Sequence, residues 1–230
     1  MNIQILQLLE GAQKATGIVV IIDVFRAFST ACYAIEKGIT KIYPVGNIQS
    51  AYNFKEQNPD YILVGERNEQ KPKGFDFGNS PSQLLDGMLN GATTMVHTTS
   101  SGTQGIANAI NADEIITGSF VNAGAIIRYI QQKQPNTISL VCMGYACEYP
   151  TEEDTLCAEY IKNELEGKTN EFKTMVKTIR KGDGARFFDP VKQSWSPEKD
   201  FHLCLNLSYF DFVLKVEKEG DLNYLRQIKI

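Results

Sequence analysis

The chain has 230 residues, 43% of them hydrophobic and 22% charged, with a formal net charge of −4. That content is ample for a buried core, and the mildly acidic balance offers no electrostatic footprint for DNA or RNA. No apolar run approaches the length that spans a bilayer, and Met1 to Gly17 has neither a basic leader nor a cleavable apolar core, so a cytoplasmic protein with no membrane partner is expected.

No Pro/Gly/Ser-rich seam divides the sequence, which reads as a single domain over residues 1–230. Whether copies of the chain form a homo-oligomer is left open. Cys32, Cys142, Cys147, Cys157 and Cys204 are scattered and odd in number, and read as buried thiols. With two histidines in the whole chain, a zinc cage is not expected.

Taken in order, Ile3 to Leu9 alternates polar and apolar residues in the manner of an edge strand. Ile18 to Ile22 is an unbroken β-branched run, the pattern of a central strand covered on both faces, and it ends in Asp23. Arg26 follows, then a helix carrying Ala31, Ala34 and Ile35 that Gly38 closes. Asp23 therefore sits at a strand's carboxyl end, where ligands bind in open α/β sheets. The plainer alternative is that Asp23 caps the helix while Arg26 pairs with a surface acid.

Ile39–Val45, Ile48–Gln57 and Tyr61–Val64 continue as strand, helix and strand, completing a β-α-β-α-β unit. Gly65 to Pro81 is then a long polar connection without period, and such loops in compact domains are usually functional or disordered. Phe75 and Phe77 argue against disorder. They would anchor Asp76 in a rigid frame, while Glu66 lies just past the strand end; the alternative is a surface excursion with solvated acids. Ser80 and Pro81 read as N-cap and first position of the next helix.

Thr93 to Thr98 is a further strand that empties into Thr98-Thr99-Ser100-Ser101-Gly102-Thr103. Small hydroxyl-bearing residues at a strand-to-helix junction suit a phosphate cradle, although they also cap helices for structural reasons alone. His97, inside the strand, reads as a hydrogen-bonded core residue rather than a base. Glu114–Gly118, Asn122–Gln132 and Ile138–Met143 follow as strand, helix and strand. The next helix opens on Glu152-Glu153-Asp154; the helix macrodipole accounts for the first two acids, whereas Asp154 follows its strand closely enough to share a rim with Asp23. Beyond Lys168 the chain is helical and charged, with late strands at Val213–Glu217 and Tyr224–Ile230; Trp195 reads as packing and His202 as helix surface.

Asp23, Glu66, Asp76 and Asp154, beside a hydroxyl-rich cradle and Arg26, suit holding Mg²⁺ and a phosphate group. Either Asp23 attacks phosphorus or a metal-bound water does so. Phe25 stands where haloacid dehalogenase-like phosphatases carry a second Asp.

Asp23-Val24-Phe25-Arg26-Ala27, Gly65-Glu66-Arg67, Gly74-Phe75-Asp76-Phe77-Gly78-Asn79-Ser80-Pro81, Thr98 to Thr103 and Glu153-Asp154-Thr155-Leu156-Cys157-Ala158 together resemble the 2-phosphosulfolactate phosphatase (ComB) family. The resemblance runs from Ile18 to Ala158, with weaker echoes at Lys199 to Cys204. It implies an α/β fold of three α/β/α layers with a largely parallel or mixed central sheet, and Mg²⁺-dependent hydrolysis of 2-phospho-3-sulfolactate to 3-sulfolactate and phosphate, a step of coenzyme M biosynthesis in archaea. The family's motif positions are matched by Asp23, Arg26, Glu66, Asp76, Asn79, Ser80, Thr99, Gly102, Thr103 and Asp154. On this reading Asp23, Arg26 and Asp76 are catalytic, and Asn79, Ser80, Thr98, Thr99, Ser101, Gly102 and Thr103 bind a small anionic phosphomonoester. Asp23, Glu66, Asp76 and Asp154 hold the metal. Ser101, Asn68-Glu69 and Glu159 depart from the family pattern, Glu69 by adding negative charge near an anionic substrate, and these departures bear on the substrate more than on the reaction. The alternative function is a non-catalytic binder of phosphorylated or sulfonated metabolites on the same fold.

Overall fold

Ten strands hydrogen-bond into one sheet in the computed structural model, which describes residues 1–230. In chain order they are β1 (Asn2–Gln7), β2 (Gly17–Ile22), β3 (Lys41–Pro44), β4 (Ile62–Gly65), β5 (Phe77–Gly78), β6 (Thr94–Thr98), β7 (Ala112–Gly118), β8 (Thr137–Cys142), β9 (Phe212–Glu219) and β10 (Leu222–Lys229). Helices α1 (Leu8–Lys14), α2 (Ala27–Glu36), α3 (Ile48–Gln57), α4 (Pro81–Asp86), α5 (Gly102–Asn108), α6 (Ala123–Lys133), α7 (Glu152–Leu165), α8 (Phe172–Lys181) and α9 (Glu198–Cys204) cover its faces, and a 3₁₀ segment runs over Asp183–Phe188.

Alternation along β2 divides the core. Val19 and Ile21 pack on one face with Phe28 and Ala31 of α2, Leu84 of α4 and Ile106 of α5. Ile18, Val20 and Ile22 pack on the other with Ile126 and Ile130 of α6, Ile161 of α7 and Ile179 of α8. A strand buried on both sides needs an apolar run rather than an alternating one, and Ile18 to Ile22 supplies it. The result is the expected α/β fold of three layers with a mixed sheet. No helix is long and apolar enough to cross a membrane.

The strand order is β1-β8-β2-β7-β9-β10-β3-β6-β4-β5. Two parallel groups, β1-β8-β2-β7 and β3-β6-β4-β5, are joined by the antiparallel hairpin of β9 and β10. This corrects the β-α-β-α-β reading of the first half. β3 does not lie beside β2; it pairs in parallel with β6 and meets β10 on its other edge. Hydrophobic periodicity marks strands but carries no information on which neighbour each one finds, and here the last two strands of the chain insert between the second and the third.

Local signals are followed closely elsewhere. The Ser80 hydroxyl accepts from the Gln83 N–H, and Pro81 opens α4. Asn47 caps α3 in the same way. Gly65, the last residue of β4, is needed for close approach: a Cβ there would lie 2.1 Å from the Thr98 carbonyl oxygen of β6. Gly65→Ala must therefore push β4 off β6 at the point where Glu66 leaves the sheet. A loss of about 1–3 kcal/mol of stability is expected, read by denaturant unfolding.

Candidate functional site

Side chains at the carboxyl ends of both parallel groups meet in one cleft of about 200 Å³, lined by Asp23, Arg26, Glu66, Thr99, Tyr145 and Arg186 among others. Asp23 follows β2, Glu66 follows β4, Thr99 follows β6 and Tyr145 comes three residues after β8. The acids are buried, with Asp23 5% and Glu66 9% exposed.

Their oxygens are held by backbone N–H groups. Asp23 Oδ1 accepts from Ala27 N at 3.0 Å and Oδ2 from Gly102 N at 2.8 Å. Glu66 Oε1 accepts from Ser100 N at 2.7 Å and Oε2 from Glu69 N at 2.9 Å. Asp154, beneath the cleft, repeats the pattern with Val24 N at 2.8 Å and Gly144 N at 2.9 Å. None of these carboxylates forms an ion pair.

The two arginines differ. Arg26 is 4% exposed, and its Nη1 is bound to Asp200 Oδ2 at 2.8 Å and to the Trp195 carbonyl at 2.7 Å. Its charge is spent on an acid that itself holds the N–H of Ser82. Arg186, from the 3₁₀ segment, spans the cleft wall with Nε 3.4 Å from Glu69 Oε1, and its Nη2 donates to the Phe25 carbonyl at 3.3 Å. It lies over the rings of Phe25, Tyr145 and Phe187 at 5.8, 5.8 and 5.1 Å, so the guanidinium is stacked in place with donors to spare.

Burial governs the protonation of the acids. The Asp23 carboxyl is pushed up to about 6 by loss of water, against the pull of the Ala27 and Gly102 N–H groups, with Glu66 adding repulsion and Arg186 relieving some. Asp154 is held well above the ordinary carboxylate range, again by burial first and then by the charges of Glu153 and Asp23. Glu153, 3% exposed, is pushed up to about 7 by burial, with Arg186 opposing.

Comparison with known proteins places this arrangement. The profile of a family described as 2-phosphosulpholactate phosphatase matches residues 3–219. The chain belongs to that family. It is 36% identical over 179 residues, 76% of its own length and 71% of the other, to a Thermotoga petrophila protein named a probable 2-phosphosulfolactate phosphatase. A Bacillus subtilis protein of the same name is 30% identical over 216 residues, 92% of each chain. One from Thermoplasma volcanium is 30% identical over 200 residues, covering 86% of this chain and 88% of the other. The chain is thus a phosphatase of the phosphoric monoester hydrolase class.

Set against the family motifs, the structure brings Asp23, Arg26, Glu66, Asn79, Thr99 and Ser101 to the cleft wall. Asp76 is not among them. Its N–H donates to the Leu63 carbonyl and its Oδ2 accepts from Leu63 N at 2.7 Å, and Lys55 stands 3.6 Å away. It lines a separate hollow with Asp60, Thr93 and Thr94 at the amino ends of β4 and β6, exposed to solvent and held by Leu63, at the wrong end of the strands for the cleft. Asp154 lies under the cleft rather than in its wall, both oxygens pinning loops together. The candidate metal set is corrected accordingly, from four acids to the two that face the cleft, Asp23 and Glu66.

The phosphate cradle also changes character. The N–H groups of Ser100 and Gly102 are engaged by Glu66 and Asp23, so they stabilise protein acids rather than standing free for a ligand. Thr103 Oγ1 donates to the Thr99 carbonyl, Thr98 Oγ1 accepts from Arg67, Ser101 Oγ donates to the Gly144 carbonyl, and Ser80 caps α4. Of the hydroxyls in the Thr98–Thr103 run, that of Ser100 makes no such bond and faces the cleft. His97 is buried against Asn79, Nε2 to Oδ1 3.1 Å, and burial lowers it to about 4, so it stays neutral. Arg186 and Tyr145 carry no local sequence signal beyond the aromatic-rich Arg186-Phe187-Phe188 run, whereas Asp200 lies in the Lys199 to Cys204 stretch that echoes the family.

Two outcomes follow for stability. Asp200→Ala strands the buried Arg26 charge and the Ser82 N–H, and is expected to cost about 3–5 kcal/mol in denaturant unfolding. In chelator, the unfolding free energy should fall as pH rises from about 6.5 to 8, because unfolded carboxyls have already ionised near 4 whereas folded Glu153, raised to about 7, gives up its proton in that window, and Asp154 is displaced in the same direction. His97 acts with the opposite sign, but only between about 4 and 6.5, below the window. Denaturant melts at the two pH values check this, and equal or rising stability contradicts it.

Proposed function

We propose that the cleft hydrolyses a small anionic phosphomonoester with Mg²⁺, the relatives' names pointing to 2-phospho-3-sulfolactate, which would yield 3-sulfolactate and phosphate. The observation that carries the reading is the placing of two buried, unpaired carboxylates, Asp23 and Glu66, opposite a stacked Arg186 in one cavity.

The donor set fits a hard divalent ion. Each oxygen of Asp23 and Glu66 accepts one N–H and keeps a further lone pair, and no ammonium or guanidinium neutralises either group. Asp23 and Glu66 would hold Mg²⁺, with water and substrate oxygens completing the six positions it prefers. Bound there, the ion would neutralise charge that gathers on the phosphoryl oxygens.

The chain's own groups supply the rest. Arg186 offers its remaining N–H donors to an anionic oxygen of the substrate, and the Ser100 hydroxyl can add another. Asp23, fixed by the two N–H groups, takes a proton from an attacking water as the water oxygen bonds to phosphorus. The bond from phosphorus to the ester oxygen breaks, and that oxygen leaves as the alcohol by taking up the proton that Asp23 received, so water and ester are converted to alcohol and phosphate. The negative charge of Glu69 does not count against an anionic substrate, since Arg186 lies 3.4 Å from it.

Release of phosphate from 2-phospho-3-sulfolactate by the purified chain with Mg²⁺ tests the proposal. Asp23→Asn and Glu66→Gln should each lower kcat by about two orders of magnitude or more while the far-UV circular dichroism is kept, and Asp76→Asn should leave kcat near its wild-type value. Full activity in both cleft variants would reject the assignment.

A further inference from the structure

Outside the cleft, a second group of acids is left without compensation. Glu152 and Glu153 in the first turn of α7 and Asp183 at the start of the 3₁₀ segment each place a carboxylate oxygen within 4.8 Å of the other two. An acidic first turn is ordinary, and the macrodipole favours it. What it does not account for is Glu153, which is 3% exposed and whose Oε2 has no hydrogen-bond partner. Beside it the Thr151 hydroxyl, equally buried, is also without a partner. A carboxyl buried with an unfilled acceptor either keeps a proton near neutrality or ionises when something cationic reaches it.

The protein supplies little. Arg186 eases the charge on Glu153 and Asp183 from a distance but closes an ion pair with neither, its nearest acid being Glu69. Glu152 Oε2 accepts the Asp183 N–H at 3.2 Å, and Asp183 is pushed up to about 6 by burial first and then by its neighbour Glu152.

We propose that Glu152, Glu153 and Asp183 form a binding site for a hard divalent cation of the size of Ca²⁺, separate from the cleft. Carboxylate oxygens are the ligands such ions take. For oxygens this close, a point exists within about 2.8 Å of all three, compatible with the 2.3–2.6 Å typical of Ca²⁺, and Ca²⁺ accepts protein oxygen sets of loose geometry where Mg²⁺ keeps most of its waters. One ligand is buried and two face outward, leaving an entry path and room for water. The ion would tie the first turn of α7 to the segment that brings Arg186 to the cleft wall, steadying that arginine from behind.

This site stands whether or not the cleft hydrolyses phosphate, and calorimetric titration of the chelator-treated full chain with Ca²⁺ alone tests it. Ca²⁺ binding is expected in the wild type, weakened at least about tenfold in Asp183→Asn and in Glu152→Gln, and kept in Asp23→Asn. Glu152 lies at the solvent side, so Glu152→Gln gives the answer should Asp183→Asn fold poorly. Absence of binding in the wild type overturns the proposal. So does binding that both variants leave unchanged, or binding lost in Asp23→Asn alone, which would put the ion in the cleft.

Discussion

Six carboxylate oxygens, on Asp23, Glu66 and Asp154, are each met by one backbone N–H, and most of what surrounds the cleft follows from that. The donors come from the turns after β2, β4, β6 and β8. Each acid thus fastens a loop that no hydrogen bond of the sheet reaches. Charge-assisted bonds of this kind are among the stronger ones available, and they offset part of the cost of burying the acids. They do not remove it, as the upward displacement of Asp23 and Asp154 records. The cleft is therefore built with negative charge in surplus, a condition that protons, metal ions or an arginine relieve in turn.

The roles of the two arginines illustrate how such a surplus is shared. Arg26 stands three residues from Asp23 and would be the natural partner, yet it turns away to Asp200, on α9. Burying that pair fixes α9, α4 and the start of α2 together, because Asp200 also holds Ser82 N. The cleft then depends on Arg186, which approaches from the far side with its plane packed among Phe25, Tyr145 and Phe187. Aromatic packing leaves a guanidinium's edge donors free, whereas Arg26 gives its Nη1 to Asp200 and the Trp195 carbonyl, so Arg186 is the arginine better placed to receive an anion.

What could be read from the sequence was where each strand ends and what stands there. Asp23 after Ile18–Ile22, Glu66 after Gly65 and Thr99 after Thr98 are local facts, and they located the wall of the cleft. Ser80 with Pro81 likewise announced α4. The direction of N–H groups was not legible: the same hydroxyl-rich turn reads as an anion cradle until the acids that already occupy Ser100 N and Gly102 N are seen. Asp76 misled because it is held by Leu63 of β4 and opens to solvent away from the cleft, and a two-residue strand, Phe77–Gly78, is too short to announce itself. Arg186 could not be found because its distance from Asp23 in sequence carries no period or motif. Glu153 was assigned to the macrodipole, which explains an acid at a helix start but not one that is buried with an empty acceptor.

The sheet order explains why so much of the cleft depends on distant pairs. Passing from β7 through β9 and β10 to β3 crosses three antiparallel junctions, so in a flat sheet the second parallel group would point its carboxyl ends away from the first. Yet Gly102, just after β6, donates to Asp23, just after β2, and Ser101 bonds to Gly144, just after β8. Both groups' carboxyl ends can meet only if the sheet coils strongly through the β9–β10 hairpin, adding to the right-handed twist that strands carry anyway. The single Leu225–Ile42 register pair between β10 and β3 fits a sharp bend at that junction. Helices α2 and α4 then pack against each other on the concave side, and Phe28 and Leu84 share one core with Val19 and Val64 from opposite groups. The cleft is the seam of this coil. Its acids, one from each side, are brought together by closing the seam, and the Gly102 N–H that Asp23 binds and the Ser101 hydroxyl on Gly144 are the stitches across it.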